Sequence, residues 1–103
     1  MSDARLYQEM DVALNRYDTG AIGFRSLLDR LEECADNITV DLDWQDIFRR
    51  VWGRMEDAYA YAANQGWRQI PDDRMPAVLS ALAEARHMVS LKVAAMTGRD
   101  TAG

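Results

Sequence analysis

Phe24, Leu27, Leu28, Leu31, Cys34, Ala35 and Ile38 recur at intervals of three and four residues without a gap. Positions so spaced fall on one side of a 3.6-residue helix but on both sides of a strand, so the segment from Gly23 to Asn37 reads as a helix with one buried stripe. Three other segments share the period. Leu6, Met10, Ala13, Leu14 and Tyr17 predict a helix over 3–17, ended by Asp18-Thr19-Gly20, whose glycine suits a left-handed C-terminal position. Trp44, Ile47, Phe48, Val51, Met55, Ala58, Tyr59 and Ala62 predict the most apolar helix, over 44–65, with Trp52 at the edge of its stripe. Asp43 is placed to cap it, Asp46 adds favourable charge to its first turn, and Gly66 stops it. Val78, Leu82, Ala85, Val89, Val93 and Met96, flanked by a second row of Ala81, Met88, Leu91 and Ala95, predict a helix over 74–97 that admits Pro76 in its first turn.

Between these segments Ile38 to Asp43 alternates apolar and polar residues but has no partner strand, and it reads as a loop. Trp67 to Asp73 is a connection, and 98–103 reads as a flexible polar tail. A chain of 103 residues supports one core. With 49% hydrophobic residues, six Gly and two Pro, it has the apolar content to fold unaided. Short connections favour neighbours that run in opposite directions, so the expected fold is all-α: a single-domain, four-helix antiparallel bundle.

Most catalytic classes find no footing. Nucleophilic catalysis needs an activated serine or cysteine with a base, and around the one histidine, His87 on the last helix, no triad can be argued; no glycine-rich phosphate loop is present either. Glu84 and His87 have the spacing of half a helical di-iron site, yet a second histidine does not exist. Asp41 to Asp46 resembles the start of a calcium loop, but counting from Asp41 the positions that need Gly and Glu hold Asp46 and Trp52. Cys34 falls on an apolar stripe and reads as a small buried hydrophobe. The chain is therefore read as a binding protein without metal or cofactor, not an enzyme. A lone cysteine, a start without the apolar core of a secretory signal and the lack of a run of roughly 20 apolar residues point to the cytoplasm and away from a membrane.

Charge is unevenly spread. The chain carries 17 acidic and 12 basic residues, a net charge of -5 that opposes direct nucleic-acid binding. From Leu31 to Phe48 stand Glu32, Glu33, Asp36, Asp41, Asp43 and Asp46 without a lysine or arginine, followed at once by Arg49, Arg50 and Arg54. One reading is a solvated helix end with its caps, paired back along the next helix. The other is an acidic surface offered to a basic protein partner. Tyr61, Trp67 and Trp52 lie off the main stripes, and the first two are candidate anchors for such a partner. The wide apolar face of the last helix offers a homodimer contact through Met88 and Leu91.

Two segments resemble small bacterial immunity proteins of the colicin-immunity-like, polymorphic-toxin type. The first is Tyr17-Asp18-Thr19-Gly20-Ala21-Ile22, leading into Phe24 and Leu27-Leu28-Asp29-Arg30-Leu31-Glu32; the second is Trp44, Phe48, Trp52 and Glu56 at intervals of four, with Ala60 and Ala62 following. The resemblance implies a helical bundle that binds a cognate toxin, often a basic nuclease, and blocks it. A phage-type inhibitor such as an anti-CRISPR protein and a self-associating helical adaptor are the alternatives.

Overall fold

The computed structural model describes residues 3–66 and 69–102, with side chains up to Met96. It contains four helices, α1 (Asp3–Asp18), α2 (Phe24–Asp36), α3 (Leu42–Asn64) and α4 (Met75–Ala102), and no strand among the described residues. Each helix packs on two neighbours in the ring order α1, α2, α3, α4 and back to α1. Successive contacts run in opposite senses along each pair. Tyr17 meets Phe24 while Glu9 meets Cys34 across α1 and α2, and Arg25 meets Glu56 while Asp36 meets Arg49 across α2 and α3. Asp18 meets Arg86 while Tyr7 meets Lys92 across α1 and α4. The expected antiparallel bundle is what the chain forms.

Helices α1 and α3 end at the glycines that mark their stops in the sequence. At the end of α1 the Gly20 amide donates to the Tyr17 carbonyl (3.1 Å) and the Ala21 amide to the Arg16 carbonyl (2.9 Å), a Schellman closure that needs the positive φ of 80° found at Gly20. Gly66, at φ 75°, closes α3 in the same left-handed way. Two boundaries differ from the sequence reading by more than one residue. Helix α3 begins at Leu42 rather than Trp44, with Asp41, not Asp43, in the N-cap position; Asp43 sits inside the first turn. The Gln45 backbone amide donates to the Asp41 carbonyl (3.0 Å), which starts the helical ladder two residues earlier than a cap at Asp43 would, and Asp3, whose carboxylate accepts from the amides of Thr39, Val40 and Asp41 (3.0 Å each), holds the backbone before that point out of a helix. The expected tail after Thr97 is also corrected, because α4 continues to Ala102. A glycine inside a helix costs only about 1 kcal/mol relative to alanine, too little for Gly98 alone to stop a helix.

Leu6, Met10 and Leu14, Leu27 and Leu31, Phe48 and Met55, and Ala81, Ala85 and Val89 bring one buried row from each helix into a common core. Burying each of the larger of these contributes roughly 1.5–3 kcal/mol. Cys34 lies in the same core as a small apolar side chain. Near one end an aromatic ladder crosses from α1 to α3: Tyr7 meets Trp44 edge-on at 4.8 Å, and Trp44 stacks on Phe48 at 4.8 Å. Trp52, half-buried, donates its indole N–H to the Leu28 carbonyl (2.9 Å) and ties α3 to α2. No described helix is long and apolar enough to cross a membrane.

Candidate functional site

The end of α2, the loop after it and the start of α3 form one corner of the bundle, and most of the candidate acidic residues lie there. Side chains, not a regular turn, build this corner. The Asn37 amide group caps the Glu33 carbonyl (2.7 Å), and Gln45 of α3 reaches back to donate to the carbonyls of Ala35 (2.7 Å) and Ile38 (3.2 Å). Orphan carbonyls at the end of α2 are thereby satisfied by amides that carry no charge.

That neutrality matters, because α2 has no basic residue in its last turn while Glu33 and Asp36 occupy it and Glu32 precedes it. Carboxylates at the negative end of a helix dipole are repelled, by about 0.3–1 kcal/mol for each residue in the last turn. Part of the charge is compensated: Asp36 pairs with Arg49 (2.8 Å), Asp46 with Arg50 (3.0 Å) and Glu33 with Arg30 (3.5 Å). All these pairs are solvent-exposed and individually weak, so a partner can compete for them. Glu32 and Asp43 form no ion pair among the described residues.

Asp41 is different. Its carboxylate turns inward, accepting from the Tyr7 hydroxyl (2.9 Å) and pairing with Lys92, the only lysine of the chain. The Lys92 hydrogen bond, opposed by burial and reinforced by Tyr7, holds the Asp41 carboxyl below its usual range. Burial, and then the neighbouring Asp41, push the Tyr7 phenol well above its ordinary value. Asp41 is thus a fixture of the fold, apart from the exposed acids around it.

Sequence reasoning missed the apolar part of the corner. Val40 is 83% exposed, Leu42 57% and Ile47 53%, so three of the eight exposed large hydrophobic residues among those described fall within eight positions. Isolated exposed apolar residues are ordinary, whereas a group of them rimmed by charge marks interaction surfaces. At 100° per residue Leu42 and Ile47 bracket Asp46 and Asp43 on the outer arc of α3. Ile47, assigned by its spacing to the core stripe, is corrected to this surface. The Arg54–Glu84 ion pair sets the level of α4 against α3, and seven residues along in each antiparallel helix Ile47 and Leu91 come to one height. Leu91 is 57% exposed, so the apolar surface extends onto α4. On the α2 side a notch of about 180 Å³ opens beside Glu32, Asp36, Arg49 and Trp52.

The remaining candidates lie elsewhere. Tyr61 is on α3 but about 27 Å from Asp43 at 1.5 Å per residue, at the opposite end of the bundle, where Arg74 lies over its ring at 3.7 Å. It cannot share a contact spot with the acidic corner. Trp67 lies outside the described residues. His87 is exposed, and Glu84 is paired with Arg54. Among the described residues no group of three or more potential ligands could hold a metal ion. Met88, which the adaptor reading places at an interface, packs against the core.

No family model, curated protein or solved structure matches the chain.

Proposed function

We propose that the chain is an inhibitory binding protein of the immunity type, which docks the α2–α3 corner onto a cognate toxin with a cationic surface. The observation that carries this reading is the placing of exposed Val40, Leu42 and Ile47 among Glu32, Glu33, Asp36, Asp43 and Asp46, the first three of these acids at the C-terminal end of α2, where folding alone disfavours them. The apolar group supplies desolvated contact, and the acidic rim speeds encounter with a basic surface and rejects acidic ones. Weak local pairs such as Asp36–Arg49 open easily to a better-matched cation. A basic nuclease active-site surface has the required charge, since it is built to hold phosphate.

The test is titration calorimetry of the purified chain against the toxin encoded beside it, at two salt concentrations. A tight complex that weakens with salt is expected. The triple variant Glu32→Lys, Asp43→Lys, Asp46→Lys should weaken it by at least 100-fold, on the order of 1 kcal/mol for each reversed charge. Unchanged affinity and unchanged salt dependence in that variant would sink the acidic-corner mechanism.

A further inference from the structure

At the end of the bundle away from the acidic corner, the last turn of α1, the first turn of α2, the end of α3 and the start of α4 leave a cavity of about 420 Å³ between them. That volume is in the range of small-molecule sites, roughly 300–1,000 Å³. Tyr17, Phe24 and Tyr59 line it as a continuous aromatic row, with ring centroids 5.8 Å and 6.1 Å apart, and all three are only half-buried. Leu79 of α4 borders it with 57% of its surface exposed. Aromatic and aliphatic carbon is left facing a space that a ligand can fill.

The charge around the space selects among ligands. Among the described residues no lysine or arginine lines the cavity, and the one charged lining residue is Asp72, which forms no ion pair there. Arg25 lies over the Tyr59 ring at 5.2 Å, but its charge is already met by two carboxylates, Asp29 and Glu56. Arg86 nearby on α4 is similarly held by Asp18. Three aromatic π-systems and one carboxylate without an ion pair among the described residues attract a cation and repel an anion. We propose that this cavity binds a small organic cation, an ammonium group on an aromatic or aliphatic body, with the body against Phe24, Tyr59 and Leu79 and the ammonium toward Asp72.

The decisive comparison uses three ligands of one shape, 4-phenylbutylamine, 4-phenylbutan-1-ol and 4-phenylbutyrate, titrated into the ¹⁵N-labelled full-length chain and followed by amide chemical shifts. The amine should bind saturably, shift the amides of Tyr59, Ala63 and Leu79, and bind roughly five- to tenfold more tightly than the alcohol, with the butyrate weakest. Asp72→Asn, at an exposed position, should bring amine and alcohol to equal affinity. Ala63→Trp, also at an exposed position on the cavity wall, should abolish binding of both without lowering the melting temperature. Absence of saturable amine binding, or equal binding of amine and alcohol to the unaltered chain, would overturn the proposal. So would amine-induced shifts confined to the α2–α3 corner.

Discussion

The carboxylate of Asp3 accepts the backbone amide of Asp41 at 3.0 Å, while the carboxylate of Asp41 is itself held by Tyr7 and Lys92. Two acids in series therefore tie the loop before α3 to the start of α1 and to α4. Through the amides of Thr39, Val40 and Asp41, Asp3 fixes the backbone that carries Val40 and launches Leu42. A residue from the first turn of the chain thus shapes a surface almost 40 positions away.

Replacing Asp3 by alanine removes an ionised acceptor from three amides at once. Hydrogen bonds to charged groups contribute about 1.5–3 kcal/mol, but Thr39 and Val40 are exposed and water can replace part of the loss. The expected destabilisation is about 1–2 kcal/mol, measured by urea unfolding. Asp3→Asn should recover less than half of it, because its amide group accepts through one oxygen only.

Acid should find the same clasp. Burial by itself raises the Asp3 carboxyl, but the amides of Thr39, Asp41 and Val40 together outweigh it and leave the group below its ordinary value of 3.8, and Asp41 is lowered by Lys92. A carboxyl that is more acidic folded than unfolded contributes stability above its unfolded value, and that contribution is lost as pH falls through the folded value. Stability should be flat between about pH 5 and 7 and decline from about 4 downward, with the decline shallower in Asp3→Asn and Asp41→Asn. Denaturant midpoints measured from pH 7 to 2.5 check this, and a parallel decline in all three proteins would contradict it.

Helix existence was legible because Leu27, Leu31, Met55 and Val89 follow a helical period, and the stops were legible because Gly20 and Gly66 adopt conformations that other residues resist. The start of α3 was not, since Asp41 and Asp43 are both residues of capping type, and the tertiary contacts of Asp3 and Tyr7 that fix the backbone up to Asp41 are linked to it by no local pattern. The acidic run was visible as a list of residues. Its division into inward Asp41, Asp36 paired across to α3, and Glu32 and Asp43 without an ion pair among the described residues needed the tertiary neighbours Tyr7, Lys92 and Arg49. Ile47 was misplaced because it sits 100° around the helix from Phe48, at the margin of the stripe, where only the packing of α4 decides exposure.

Ile47 and Met55 consequently make a sharp pair. Met55 is fully buried, and Ile47 is more than half exposed. Ile47→Glu should change stability by no more than about 0.5 kcal/mol, whereas Met55→Glu should cost 4 kcal/mol or more and leave little folded protein at 37 °C. Thermal melts followed by circular dichroism distinguish the two. Loss of the fold in Ile47→Glu would return that residue to the core.

Cys34 gives a chemical probe of the same packing. Burial pushes its thiol up to about 11 from an ordinary 9.0, and Glu9, with a carboxylate oxygen 3.8 Å from Sγ, adds to the rise. The folded protein should therefore resist iodoacetamide at pH 8 and react at an ordinary rate in 6 M guanidinium chloride. Because the thiol ionises more readily unfolded than folded, stability should fall between about pH 9 and 11, and Cys34→Ala should flatten that limb.

Glu32 offers a substitution in which stability and binding move in opposite directions. It stands near the negative end of α2, between Asp29 and Asp36 at helical spacing, with no ion pair of its own among the described residues. Glu32→Lys replaces like-charge repulsion with attraction to both neighbours and favours the dipole, so the free chain should gain about 0.5 kcal/mol. The same change puts a cation in the rim that meets the proposed basic partner and should weaken that complex about tenfold. Melting temperature and calorimetric affinity measured on one preparation read both effects. A variant that is stabilised and binds as tightly as before would locate the partner on another face, while one that is destabilised would show that Glu32 serves the fold.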